Sequence, residues 1–257
     1  MPYRRTENVA RRLAARRDAI IAAARQTASE GGMAAVQIAA VAARAGIAAG
    51  TVYRYFPAKT DLVAALLAEI AEREIGALRR AAGAAPGPLS ALSAAIMSFA
   101  GRALRHRRLA FAAIAEPVDA EIDAARRAFR KSLATEFALR IAVARAGGHL
   151  PEQDAALAAA ALTGLLVEGL IGPLAPDASG RERDIVQSLT LVALRALGGG
   201  RCARPRPRRA NENADGCRLE CSLFRLDREH FRVLRAGTTV DRDWLTTLRV
   251  AGPRPLA

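Results

Sequence analysis

An all-α fold is predicted, and three observations predict it. Of the 257 residues 51% are hydrophobic but only 4% aromatic, so the core must be made of Ala, Leu, Ile and Val, a composition suited to close helix packing rather than to strands. Apolar residues recur at spacings of three and four over long stretches, the period of a helix with one covered face. Glycines and prolines fall between those stretches, where helices must stop.

Taken in order, the first helix is expected over residues 10–30, with Ile20, Ile21, Ala24 and Ala28 inward and Gly31 and Gly32 as its stop. Residues 37–45 put Ile38, Val41, Ala42 and Ala45 on one face, and Gly46 then suits the left-handed turn that ends a helix, with Ile47 tucked into the core. A second short helix over 49–56 has Val52 and Phe56 four apart and inward, which leaves Thr51, Tyr53, Arg54 and Tyr55 pointing away from the core. Two phenols, a hydroxyl and a guanidinium are groups that hydrogen-bond phosphate oxygens, and Arg54 can also address a guanine edge. Two short helices joined by a tight turn, with that outward set, point to DNA.

Pro57 ends the second short helix, and Lys59 opens a long one over 59–80 that is apolar at Leu62, Val63, Leu66, Leu67, Ile70, Ile75 and Leu78. Residues 83–88, GAAPGP, read as a loop. The next helix places Leu92, Ile96, Phe99 and Ala103 on one face and ends in a basic run over 102–108; a short helix over 109–115 follows, closed by Pro117. Asp119 is expected to cap a long helix carrying Ile122, Ala125, Phe129, Leu133, Phe137 and Ile141, stopped by Gly147 and Gly148. Pro151 is expected in the first turn of the following helix. Ser179 with Glu182 reads as a capping box before the last helix, where Ile185, Leu189, Val192 and Ala196 form a stripe ended by Gly198 to Gly200. These last two helices are apolar on more than one face, so a second copy of the chain is the expected cover, with Gly164 and Gly169 allowing close approach.

The order GTVYRYFPAK from Gly50 to Lys59, with Gly46 ahead of it, resembles the recognition helix of the tetracycline-repressor (TetR) family of bacterial regulators. The resemblance is close over about the first quarter of the chain and extends to the rest through length and helical pattern. It implies a three-helix head that binds operator DNA as part of a homodimer, and a larger helical body that dimerises and takes a small-molecule effector. Carried over, Thr51, Tyr53, Tyr55 and Lys59 fall at phosphate contacts, and Ala49, Gly50 and Arg54 where the family approaches base edges. Gln37, Ala48 and Ala58 stand where that family has hydroxyl residues at the starts of its second, third and fourth helices, so three caps are expected to be missing, each worth ~1 kcal/mol. Gln37 remains a candidate phosphate donor.

The resulting division is a basic arm over 1–13, a helix-turn-helix domain over 14–74, a regulatory and dimerisation domain over 75–198, and a tail over 199–257 expected to be disordered. The formal charge of +14 suits a polyanion partner, and Arg4, Arg5, Arg11, Arg12, Arg16 and Arg17 crowd the arm against a single Glu7. Only Lys59 and Lys131 are lysines, so a coding bias toward arginine accounts for part of that charge. Candidates for an effector site are Met97, Phe99, Leu104, Phe111, Ile114, Phe129 and Leu133, which favour an apolar or aromatic compound; His106 and Glu116 flank the short helix beside them.

Catalysis is not expected, since three histidines, His106, His149 and His230, come with no HExxH, GxSxG, Walker or GxGxxG pattern. Cys202, Cys217 and Cys221 indicate neither a disulfide framework nor a zinc site, and no cofactor is implied. No secretory signal is read, so a cytoplasmic location is expected. Residues 155–175 are nearly uncharged, but their alanines, Glu168 and Pro173 suit a buried bundle helix better than a membrane span. The sequence therefore predicts a ligand-responsive repressor on a palindromic operator; the alternative is an arginine-driven DNA binder without sequence preference or ligand control.

Overall fold

The structure, a computed structural model, describes residues 3–117, 120–175 and 180–198. Among these are nine α-helices, α1 (Tyr3–Gly31), α2 (Ile38–Ala45), α3 (Ala49–Tyr55), α4 (Lys59–Gly83), α5 (Pro88–Arg105), α6 (Arg107–Ile114), α7 (Ala120–Ala146), α8 (Ala155–Leu174) and α9 (Glu182–Ala196), with a single 3-10 turn at Met33–Ala35 between α1 and α2. The fold is all-α. The expected caps Asp119 and Ser179, Gly199 and Gly200, the tail and its three cysteines lie outside the described residues.

α1 begins at Tyr3 rather than near Ala10, so the arginine-rich segment is helical and continuous with the core-forming part. Arginine and alanine are both strong helix formers, and after Pro2 no glycine or proline interrupts them before Gly31. α1 packs on α2, α4 and α6. α4 leaves the head and lies against α5 and α7, while α8 packs on α7 and α9 closes against α5 and α8. One continuous apolar cluster runs from Ile20 in α1 to Leu197 past the end of α9.

Pro151 is not in the first turn of α8. Asp154 caps that helix instead, its Oδ1 accepting from the backbone N–H of Ala156 at 2.8 Å and Leu157 at 3.2 Å, because a carboxylate satisfies two orphan donors where proline satisfies none. Pro151 packs under the far end of α9: a Cβ on Gly198 would sit 2.6 Å from its Cγ. On α9 the inward residues are Val186, Thr190 and Ala193, with Leu197 just beyond. The stripe Ile185, Leu189, Val192 and Ala196 flanks them: Ile185 and Leu189 are half-buried and pack against the edge of the core, while Val192 and Ala196 are exposed. α8 is long and apolar enough to cross a membrane by length and composition. Its Leu162, Leu166, Leu170 and Leu174 are buried in the bundle.

Candidate nucleic-acid interface and junction cavity

The sharp stop after α2 sets the direction of α3. Gly46 adopts φ 66°, Ile47 N–H donates to the Ala42 carbonyl at 3.0 Å and Gly46 N–H to that of Ala43 at 3.2 Å. This pair of bonds closes the helix end, and Ile47 packs against the core. α3 then buries Val52, and Phe56 just beyond it.

With those two residues inward, Ala49, Gly50, Tyr53 and Arg54 are exposed, and Thr51, Tyr55 and Lys59 are half-buried at the edges. Tyr53 keeps 52% of its surface in solvent, although an aromatic this large normally gains by burial. Tyr55 rests partly against the core. At Gly50 an added Cβ would meet no atom within 4 Å. Nothing inside the chain therefore requires a glycine there.

Gln37, the residue before α2, is exposed, but its Nε2 donates to the Ala34 carbonyl at 2.9 Å and so braces the preceding turn. The starts of α2 and α3 carry no side-chain cap, which leaves their first N–H groups for an outside acceptor. At α4 the expected loss is only half of one: Asp61 accepts from the Ala58 N–H at 2.9 Å, the reciprocal bond of a capping box. Arg17 and Arg44 of the head are engaged internally. Arg17 stands 5.3 Å from the Phe56 ring centroid, and Arg44 pairs with Glu30.

A cavity of about 370 Å³ opens between head and body. Phe99, Ile114 and Phe129 line it, as the sequence suggests, and His106 stands beside them. Met97, Leu104, Phe111 and Leu133 do not. Leu104 and Leu133 are fully enclosed in the core, and Met97 and Phe111 pack along its edge. The lining that the sequence reading missed comes from α1 and α4, chiefly Arg25, Ile70, Arg73 and Glu74, and from Arg102 of α5. Arg102 lies in the basic run already noted; Arg25 carries no local signal, since only the docking of α1 on α6 brings it there. Arg102 makes a bidentate pair with Glu74, at 2.7 and 2.8 Å. Partial burial, then the nearby Arg102, hold the His106 pKa below its ordinary value, which favours the neutral imidazole.

Glu116 is not a cavity residue. From the end of α6 it reaches into the head, where its carboxylate accepts from Met33 N–H at 2.8 Å and Ala34 N–H at 3.2 Å. Gly32, at φ 75°, gives it room, because a Cβ there would lie 2.8 Å from Oε2. Arg126 of α7 donates to the Ala112 carbonyl at 2.6 Å and fixes the end of the same helix. Among the described residues no group of His, Cys, Asp and Glu is placed to hold a metal ion.

Residues 20–66 match the family described as bacterial regulatory proteins, tetR family. The transcriptional repressor KstR of Rhodococcus jostii is 52% identical over 58 residues, which are 23% of this chain and 27% of that protein. KstR of Mycolicibacterium smegmatis is 45% identical over 78 residues, 30% of this chain and 38% of that protein. Thus the chain matches well under half the length of these relatives. Among solved structures, the fatty acid degradation regulator FadR of Bacillus halodurans superposes with TM-score 0.62 at 24% identity, over 72% of this chain and 99% of that one. FadR of Bacillus subtilis, solved with stearoyl-CoA, gives 0.60 at 22%, over 70% and 97%. Residues 20–66 therefore carry a head of the tetR family of bacterial regulatory proteins, and 72% of the chain shares its fold with a solved regulator.

Proposed function

We propose that the protein is a sequence-specific, ligand-responsive repressor that binds a palindromic operator as a homodimer. The observation that carries this reading is the outward face of α3, where Tyr53 and Arg54 are exposed beside a Gly50 that no internal contact explains. Thr51, Tyr53, Tyr55 and Lys59, with the bare N-termini of α2 and α3, serve as phosphate contacts; Arg54 reads base edges across the close approach that Ala49 and Gly50 permit. Gln37 supports this set by holding the turn in front of α2.

The second copy covers the apolar strip on α8 and α9. Leu157 is 69% and Val192 50% exposed, and a groove beside them is walled by Leu165, Gly169, Gly172, Ile185 and Leu189. A strip of this kind on a lone chain is a contact surface, and two copies joined through it form a four-helix interface. The head over 14–74 then reads DNA, the body over 75–198 pairs and senses, and the junction cavity holds the effector.

The relatives named above are repressors, and the reading is non-catalytic. Competition decides it against an arginine-driven binder. Genomic fragments retained by the purified protein should share an inverted repeat, and that site should survive an excess of random duplex at moderate salt. Equal retention of random DNA would leave only the non-specific reading.

A further inference from the structure

The junction cavity has a charge count that its own residues do not close. Arg25, Arg73 and Arg102 bring three guanidinium groups to its wall, and two carboxylates, Glu69 and Glu74, stand among them. Glu74 is held bidentately by Arg102, and Glu69 Oε1 accepts from Nε of Arg73. Arg25 keeps only a 3.7 Å approach to that same oxygen, too long for a hydrogen bond. Its Nε is buried without a partner, and so is Oε2 of Glu69. Arg25 stands on α1 and Glu69 on α4, two helices that pack together.

A guanidinium that is half-withdrawn from water and not hydrogen-bonded at Nε attracts an anion strongly, because the field around it is weakly screened. Beyond the arginines the walls turn apolar, with Ile70, Phe99, Leu109, Ile114 and Phe129. The volume falls in the range of small-ligand sites. His106, which also lines the cavity, offers one more hydrogen bond.

We infer that the cavity binds a monoanionic amphiphile, a carboxylate on an apolar body, with the head group at Arg25 and the body between Phe99 and Phe129. The inference rests on the ligand-responsive reading above and narrows it from any apolar compound to an anionic one. Such a ligand touches α1 of the head and α5, α6 and α7 of the body at once, so its arrival acts directly on the joint between them.

The test is calorimetric titration of the full chain, without DNA, with decanoate, decan-1-ol and decylamine, three probes of matched apolar length. Decanoate should bind at least about tenfold more tightly than decanol, the size of one charge-assisted contact, and decylamine most weakly. Arg25→Gln should erase the gap between decanoate and decanol, Arg25→Lys should keep most of it, and Phe129→Ala should weaken both alike. Equal binding of decanoate and decanol, no binding of any probe, or a preference that persists in folded Arg25→Gln overturns the inference. The three-probe comparison on the unaltered chain stands even where a variant fails to fold. Operator retention measured with the same probes separates the two readings. Charge-selective binding that leaves DNA affinity unchanged supports the site and removes ligand control; an effector of another kind that releases DNA, with no decanoate preference, overturns the site and keeps the regulator.

Discussion

On the proposed reading, Gly50 is the residue at which stability and recognition part company. Its missing Cβ has no internal neighbour, and glycine within a helix costs up to ~1 kcal/mol relative to alanine. Gly50→Ala is therefore expected to leave the thermal midpoint unchanged or raised, while operator affinity drops by about tenfold or more, ~1.4 kcal/mol. Filter binding alongside a thermal melt checks both halves. Arg54→Ala should relax base preference by ~1 to 3 kcal/mol, whereas Lys59→Ala should weaken all duplexes about equally; a selection on randomised half-sites tells these apart. Glu136 belongs to the other category, a residue for the fold alone. Buried on α7, it accepts from Nε of Arg79 at 2.8 Å and from Arg140 at 3.0 Å. The Arg79 bond first, then that from Arg140, hold its pKa below the ordinary value against the opposing effect of burial. A carboxyl lowered in the folded state contributes its full stability above the unfolded pKa and loses it as pH falls through the folded one. Glu136→Gln should thus cost ~1 to 3 kcal/mol at pH 7, with the gap to the parent protein narrowing below the usual carboxylate range. Chemical denaturation at neutral and acidic pH reads it, and a gap independent of pH would refute the assignment.

Among the elements, α6 connects the cavity to the reading head. Leu109, Ala110, Ala113 and Ile114 of this helix line the cavity, and Glu116 at its end grips the turn between α1 and α2. Arg107 at its start ties it to α9 through Glu182 at 2.6 Å. A short helix held at both ends transmits displacement better than one that can yield. Glu116→Ala should destabilise the fold by ~1.5 to 3 kcal/mol, the range for hydrogen bonds to a charged group. It should also reduce the ratio of operator affinities measured without and with effector, since that ratio is the coupling between the two sites. An unchanged ratio would place the coupling along α4 instead.

At the scale of the whole molecule, the proposed dimer would have to bring two heads to successive major grooves, about 34 to 36 Å apart or slightly more. That spacing would be a property of the pair, so the strip on α8 and α9 would govern recognition at a distance. Val192→Arg sets a charge in the middle of the strip, at a position 50% exposed in the single chain, so the fold should survive while association fails. Light scattering should give a monomer, and affinity for the full palindrome should fall toward that for a half-site. A variant that stays dimeric would move the interface elsewhere.

The helical order was legible in the sequence because apolar period, glycine stops and the GTVYRYFPAK run are local, and each helix satisfies its own backbone. The inward side of α3 followed from Val52 and Phe56 for the same reason. What only the tertiary structure decided depends on residues far apart in the chain: that Arg25, Glu74 and Arg102 share one cavity wall, that Leu104 and Leu133 are core rather than lining, that Glu116 holds the turn of the head, and that the stripe begun by Ile185 runs along the edge of the core and leaves Val192 exposed. Periodicity assigns a residue to a face of its own helix; which neighbour covers that face is settled only when the helices pack.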